Sequence, residues 1–353
     1  MAVRPIGHLH SIGTMPLALM TDLHVLIPLA HIWRRLDLVE ERLLEAATSD
    51  DPYLTKIAQH LLMAGGKRFR PLLALLAAEF GPEGAAEDRR PVEAAVSVEL
   101  IHVGSLYHDD VIDESDTRRG APSVNANWTN TVAILAGDFL MARASEVAAT
   151  YLSQESVRLL AVTYAEIVEG QTRELQLVDS LHHPVAEYER VIAGKTASLI
   201  KTSARLGAMA VDASPEVVEA LTQWAWELGM VFQLADDALD LVGTEDSLGK
   251  PAGSDIREGK FTLPVLSAIQ DDGSHRLRQL LDRPRTYPEE VAAEAISLVR
   301  AGGWIDQAID ASLLRVDRAQ TMLEILPDRP ARKALADLGR YLVSQVEAER
   351  AQR

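Results

Sequence analysis

The sequence predicts an all-α protein, and three observations carry that prediction. From Leu36 onward Ala, Leu, Glu and Arg dominate, and apolar residues recur at three- and four-residue spacing, the period of an amphipathic helix. Runs of alternating Val, Ile and Thr typical of strands are absent. Glycine and proline mark several junctions between the periodic stretches.

Taken in order, Leu54, Ile57, Ala58, Leu61 and Leu62 trace a helix that Gly65-Gly66 stops. Pro71 opens another apolar helix, as proline can in a first turn. Gly81–Arg90 is a polar loop, and a long helix runs from Pro91 to about Asp113. A polar turn through Gly120 and Pro122 leads to a further helix beginning near Ala126. Gly243–Gly259, rich in glycine and containing Pro251, is a long loop. No repeat, low-complexity tract or linker divides the chain, so residues 36–353 form a single all-helical domain and residues 1–35 an N-terminal extension.

Composition narrows the functions available. The 353 residues are 47% hydrophobic and 25% charged, ample material for a core. Acidic residues outnumber basic ones 52 to 35, for a net charge of −17, which argues against nucleic acid as a partner. Any anionic ligand must be held by a local basic cluster or through metal ions. With no cysteine, disulfides and thiolate metal sites are excluded, and a reducing, cytoplasmic location is expected. No apolar run is long enough to predict a membrane span.

Two acidic clusters stand out. In His108-Asp109-Asp110-Val111-Ile112-Asp113, Asp109 and Asp113 share a helix face and Asp110 lies about 100° round the axis. Like charges so placed repel, and the C-terminal end of a helix is the wrong end for acids. A solvated acidic face is one reading; carboxylates offered to Mg²⁺ are the other. Asp236, Asp237 and Asp240 repeat the spacing after another apolar stretch. The repetition favours a carboxylate-walled cavity between two helices. Six carboxylates exceed what one Mg²⁺ takes, so several ions bridging a diphosphate fit better.

Basic residues in short, glycine-flanked motifs surround both clusters: Gly65-Gly66-Lys67-Arg68-Phe69-Arg70-Pro71, Arg118-Arg119-Gly120, Gly194-Lys195-Thr196, Gly249-Lys250-Pro251 and Gly259-Lys260. Each alone is weak, since a surface cation is usually solvated. Together they place phosphate-holding groups beside both acidic clusters.

This ordered set resembles the trans-isoprenyl diphosphate synthases, or polyprenyl synthetases, over roughly Leu36 to the C-terminus. The resemblance implies an antiparallel helix bundle around a deep central cavity, a homodimer, and Mg²⁺-dependent, head-to-tail condensation of isopentenyl diphosphate with an allylic diphosphate. It implies a catalytic set of Asp109, Asp110, Asp113, Asp236, Asp237 and Lys195. Within it Asp109, Asp113 and Asp236 are the principal Mg²⁺ ligands, supported by Asp110, Asp237 and Asp240. Arg118, Lys195 and Lys250, with Thr196, Gln233 and Lys260 nearby, would hold the allylic diphosphate. Lys67, Arg70, His102 and Arg119 would hold that of isopentenyl diphosphate. Read alone, His102 is a satisfied core histidine, and Glu174 stands where many family members carry aspartate.

Gly104 and Ser105 lie one helical turn before Asp109 on its face, and Ile101 a turn further. Bulky residues at these places accompany short products in the family. The small pair therefore predicts an open tunnel and a long all-trans product, about six or more units at one unit per helical turn. The rival readings are a class I terpene cyclase or head-to-head synthase, which would not need isopentenyl diphosphate, and a non-catalytic regulatory subunit of a heteromeric synthase.

Overall fold

The chain joins its core before the helical pattern becomes legible. The computed structural model describes residues 23–244, 252–271, 275–283 and 287–351. Leu23, Ile27 and Ile32 are buried, and the first long helix, α1, spans Ala30–Ala46. Three residues of the segment read as an extension, Leu23, Ile27 and Ile32, thus contribute to the core; Pro28, His24 and His31 interrupt the apolar pattern there and hide it.

Helices α2 (Pro52–Ala58) and α3 (His60–Met63) end just ahead of Gly65-Gly66. Asp51 caps α2 by accepting from the Tyr53 amide at 2.9 Å. Helix α4 (Phe69–Ala78) starts two residues before Pro71, after Arg68 has turned the chain with φ of 48°. Helix α5 (Arg90–Ile112) is buried on nearly every side, which marks it as a central helix. Thr117–Arg118 (β1) and Ala121–Pro122 (β2) form a two-residue hairpin that strand periodicity could not reveal. Its turn residues, Arg119 and Gly120, both have positive φ, as a tight hairpin requires.

The helix expected near Ala126 is split at Trp128 into α6 (Val124–Asn127) and α7 (Asn130–Tyr151). Then come α8 (Gln154–Leu177), α9 (Val185–Ile192), a π-helical turn at Ala193–Ala197, α10 (Ser198–Ala210) and α11 (Pro215–Val242). Thr129, Ser153 and Ser214 cap α7, α8 and α11 with their hydroxyls. The stretch read as loop contains a short helix, α12 (Ser254–Arg257). The chain finishes with α13 (Leu263–Gln270), α14 (His275–Leu281), α15 (Glu289–Ala301), α16 (Trp304–Leu323) and α17 (Pro330–Ala351).

Helix α5 packs on α7, α4, α10 and α1, while α11 packs on α16, α10 and α17. One contiguous apolar core links them from Leu23 to Val346. Helix α7 runs antiparallel to α5: His108 Nε2 meets the Ile134 carbonyl at 3.2 Å, and a turn earlier Gly104 backs onto Gly137 and Met141. The all-α class read from periodicity is the class observed. Among the described residues, no helix is long and apolar enough to cross a membrane.

Candidate active site

The first acidic cluster forms the last turn of α5, and its members face different partners. Asp110 is fully buried; one oxygen accepts from Arg118 Nε at 2.7 Å and Nη2 at 2.6 Å. Its other oxygen is buried without a hydrogen-bond partner. Burial raises the Asp110 carboxyl, against the pull of Arg118. Burial also raises Asp109, with Lys195 opposing and Asp113 reinforcing the rise. Asp113 caps the helix and accepts from Lys260 Nζ at 3.1 Å.

The second cluster, late in α11, divides its work similarly. Asp236 lines a cavity of about 770 Å³ of empty space, part of it open to solvent. Asp237 is buried, with one oxygen accepting from Gln233 Nε2 at 2.8 Å and the other from the Tyr188 hydroxyl. Its carboxyl is raised, first by burial. Asp240 turns from the cavity and accepts the backbone amides of Ser254 (3.3 Å) and Asp255 (3.2 Å). It thereby holds the start of α12 and the segment leading to Lys260.

Lys260 connects the clusters: it pairs with Asp113 of the first and lines the same cavity as Asp236 and Asp237 of the second. Burial disfavours its ammonium, but Glu174, Asp113 and Glu258 outweigh burial and raise it. Among the described residues, no three acidic or histidine side chains converge closely enough to ligate one ion by themselves. Hard oxygen donors on two separated walls suit Mg²⁺ that completes its shell with water and substrate phosphate, not a closed protein cage. Lys195 and Arg118 only partly offset the desolvated Asp109 beside Asp113, and a divalent cation there would offset the rest.

Two further cations are buried, one of them within reach of the charge of Asp236. Lys67 Nζ and Arg70 Nε are buried without hydrogen-bond partners. Burial pulls the Lys67 ammonium down to about 7, against the charge of Asp236. Arg70 is likewise lowered by burial, and its Nη1 lies 3.2 Å from His102 Nε2. Burial, then the charges of Arg70 and Arg119, hold His102 well below its usual range, so it is neutral.

Two arginines are engaged within the protein. Arg119 donates to the carbonyls of Leu61 (3.0 Å) and Gly65, so it shapes the Gly65-Gly66 loop. Arg68 turns inward to Glu40 and Glu99, at 2.9 and 3.1 Å.

Lys195 and Thr196 sit on the π-helical turn, a device frequent at functional sites. A Cβ on Gly170 of α8 would come within 2.4 Å of the Lys195 amide nitrogen, so only glycine lets α8 approach. Lys195 Nζ pairs with Glu174 at 2.6 Å. Thr196 donates to Gln233 at 2.7 Å, beginning a chain that continues through Asp237 to Tyr188. Tyr188 had no sequence signal; Phe69 and Phe232 lie beside the basic and acidic motifs without a role read for them, and their stacked rings are 5.4 Å apart. Tyr188 lies seven residues before Lys195, two helical turns, which identifies nothing alone. Lys250 lies outside the described residues.

The tunnel positions separate. Ser105 is half-buried, its hydroxyl donating to the His102 carbonyl at 2.8 Å, and Ile101 is buried. Gly104 does not open onto free space. A Cβ there would stand 3.0 Å from Met141 Cε, 3.1 Å from the Gly137 carbonyl and 3.4 Å from Leu140 Cβ. Its small size lets α5 and α7 meet, because α7 fills the room that a side chain would take.

Comparison with known proteins places this geometry. Residues 51–299 match the family model described as polyprenyl synthetase. The chain is 44% identical to a nonaprenyl diphosphate synthase of Mycobacterium tuberculosis over 302 residues, 84% of this chain and 88% of the relative. It is 41% identical to a protein of Geobacillus stearothermophilus named heptaprenyl diphosphate synthase component 2, over 86% of this chain and 93% of the relative. The crystal structure of a Caulobacter crescentus polyprenyl synthase complexed with calcium and isoprenyl diphosphate superposes with a TM-score of 0.84. That match has 33% identity and covers 95% of this chain and 99% of the other. Two acidic triplets joined through Lys260, facing buried cations within a helix bundle, therefore belong to a prenyltransferase, and the chain is a member of the polyprenyl synthetase family.

Proposed function

We propose that the protein condenses isopentenyl diphosphate with an allylic diphosphate, head to tail, to make a long all-trans polyprenyl diphosphate. The observation that carries this reading is the pair of buried, unpartnered cationic atoms, Lys67 Nζ and Arg70 Nε. A buried cation without a partner is costly, and an anionic ligand removes the cost. With neutral His102 beside them, they form a site for the diphosphate of isopentenyl diphosphate. The relative from Mycobacterium tuberculosis, named for a nonaprenyl product, supports the long chain.

Asp109, Asp113 and Asp236 would hold Mg²⁺, about two or three ions by donor count, and the bound metal supplies electrostatic stabilisation of the departing diphosphate. Asp110, Asp237 and Asp240, already engaged, position this set. Lys195 and Lys260 exchange their carboxylate partners for phosphate oxygens when the allylic substrate enters, Arg118 adds its charge while staying paired with Asp110, and Thr196 and Gln233 orient Lys195. The allylic carbon–oxygen bond breaks, the double bond of isopentenyl diphosphate attacks the allylic carbon, and a proton leaves to the released diphosphate. Apolar side chains that line the cavity, Leu177, Val178, Val191, Ile192 and Phe261, keep water from the cation. We place the enzyme in the cytoplasm as a homodimer. Support for the dimer comes from Ile134 and Leu135 of α7 and Val162 and Val168 of α8, apolar side chains left exposed on neighbouring helices.

The test is incubation of the purified chain with labelled isopentenyl diphosphate, several primers and Mg²⁺. Elongated product is expected, with Asp109→Ala and Asp236→Ala each losing about 10²–10³-fold in kcat, the scale of a lost electrostatic contact. Consumption of the primer without isopentenyl diphosphate would mean a cyclase. Elongation only after adding a second subunit would mean one half of a heteromeric enzyme, as the name of the Geobacillus relative suggests for that protein.

A further inference from the structure

Lys67, Arg68, Arg70 and Arg119 divide into two kinds of cation. Lys67 Nζ and Arg70 Nε are buried without hydrogen-bond partners. Arg68 and Arg119 use their donors inside the protein, and both hold the turn just ahead of Lys67. Arg68 donates to the carbonyls of Leu62 (2.9 Å) and Gly65 (3.3 Å), and Arg119 to those of Leu61 and Gly65. A Cβ on Gly66 would stand 2.9 Å from both guanidinium groups, so the backbone of the turn lies against the pair.

One buried carboxylate joins these groups. Glu99 of α5 is 1% exposed and lies about one helical turn before His102. Its Oε1 accepts from Arg68 Nη1 at 3.1 Å and stands 3.9 Å from Arg119 Nη2. Burial disfavours the charge of Arg68, Arg70 and Arg119 alike, and at each of the three the charge of Glu99 is the largest influence opposing burial. Glu40, the other carboxylate on Arg68, has a side chain 43% exposed.

Resting on the isopentenyl diphosphate reading above, we propose that Glu99 is a positioning residue for that ligand: as the buried counter-anion of Arg68 and Arg119 it fixes the Gly65-Gly66 turn and leaves Lys67 and Arg70 unpaired for the diphosphate. A buried ion pair adds little stability, because desolvating both charges offsets their attraction; its effect here is to give each cation one place. Removing the negative charge has two opposed consequences. By charge count alone, an incoming diphosphate is attracted more strongly. Against that, four cations face one another without their buried counter-charge, and they relieve the repulsion by turning to water. The ligand must then gather them again, and preorganisation is lost. The second consequence dominates, because Arg68 and Arg119 hold the backbone of the turn and its displacement moves Lys67 as well.

The experiment is steady-state kinetics on the full-length enzyme with Mg²⁺, varying isopentenyl diphosphate and the primer separately. Glu99→Gln keeps the shape and one acceptor oxygen but removes the charge. It is expected to raise KM for isopentenyl diphosphate about tenfold, the scale of losing a hydrogen bond to a charged group, and to leave kcat and KM for the primer unchanged. Glu99→Asp, which keeps the charge, should lie nearer the native value than Glu99→Gln. An unchanged or lowered KM for isopentenyl diphosphate in Glu99→Gln overturns the proposal. So does an equal loss toward both substrates, or an equal rise in the Asp and Gln variants. Should Glu99→Gln fail to fold, Arg68→Lys, which keeps a charge but loses the fork, replaces it. A rise in KM for isopentenyl diphosphate alone then supports the role, and an unmoved KM overturns it. Normal elongation with unmoved KM defeats only the role of Glu99, whereas no elongation by the native enzyme defeats the functional reading itself.

Discussion

Lys67 carries the clearest consequence at the residue scale. Burial holds its free ammonium at a pKa of about 7. A diphosphate bound beside it raises that value, so binding takes up a proton wherever the free amine is neutral. Affinity for isopentenyl diphosphate should therefore weaken as pH rises above about 7, by up to about tenfold per unit, and be insensitive to this group below it. Lys67→Arg keeps its charge throughout and should flatten the profile; KM against pH in the two proteins checks it. Tyr188 offers a second test. Its hydroxyl satisfies one oxygen of the buried Asp237, so Tyr188→Phe should cost about 1–3 kcal/mol of stability, the penalty for an unsatisfied buried acceptor. Urea unfolding measures it, and an unchanged midpoint would show that water replaces the phenol.

At the scale of elements, placing Lys195 is a matter of backbone contact. The π-helical turn lies between Gly170 of α8 and Gly229 of α11, where added Cβ atoms would fall 2.4 Å from the Lys195 nitrogen and 2.6 Å from the Ala197 Cα. Neither neighbour is a flexible side-chain tip, so Gly170→Ala must displace the turn. A displacement of about 1 Å should lower kcat/KM about 100-fold while the helical circular dichroism persists. A similar dependence on neighbours explains Gly104: its position on α5 was legible, but what lies opposite was not, because that is a property of α7.

The whole molecule brings together groups far apart in the chain. Lys260 reaches Asp113 across 147 positions, and Asp110 and Asp237 each accept a hydrogen bond from a residue of another element. Folding therefore assembles one ligand site from both halves of the chain. Mg²⁺ with inorganic diphosphate should stabilise the native protein by about 2.7 kcal/mol at a hundredfold excess over Kd, seen as a higher melting temperature. Asp109→Ala with Asp236→Ala should abolish the rise, and a chelator should reverse it.

The all-helical class, the long α5, both aspartate triplets and their flanking cations were legible in the sequence. Helical period, like-charge spacing and glycine-flanked basic motifs are local, and local patterns survive in one dimension. The hairpin at Arg118, the burial of Leu23, Ile27 and Ile32, the engagement of Arg119, and the partners of Asp110, Asp237 and Asp240 were decided only by the tertiary structure. Each of these depends on which distant side chain or backbone group occupies the neighbouring space, and burial, charge pairing and steric room are set by that neighbour, not by sequence spacing.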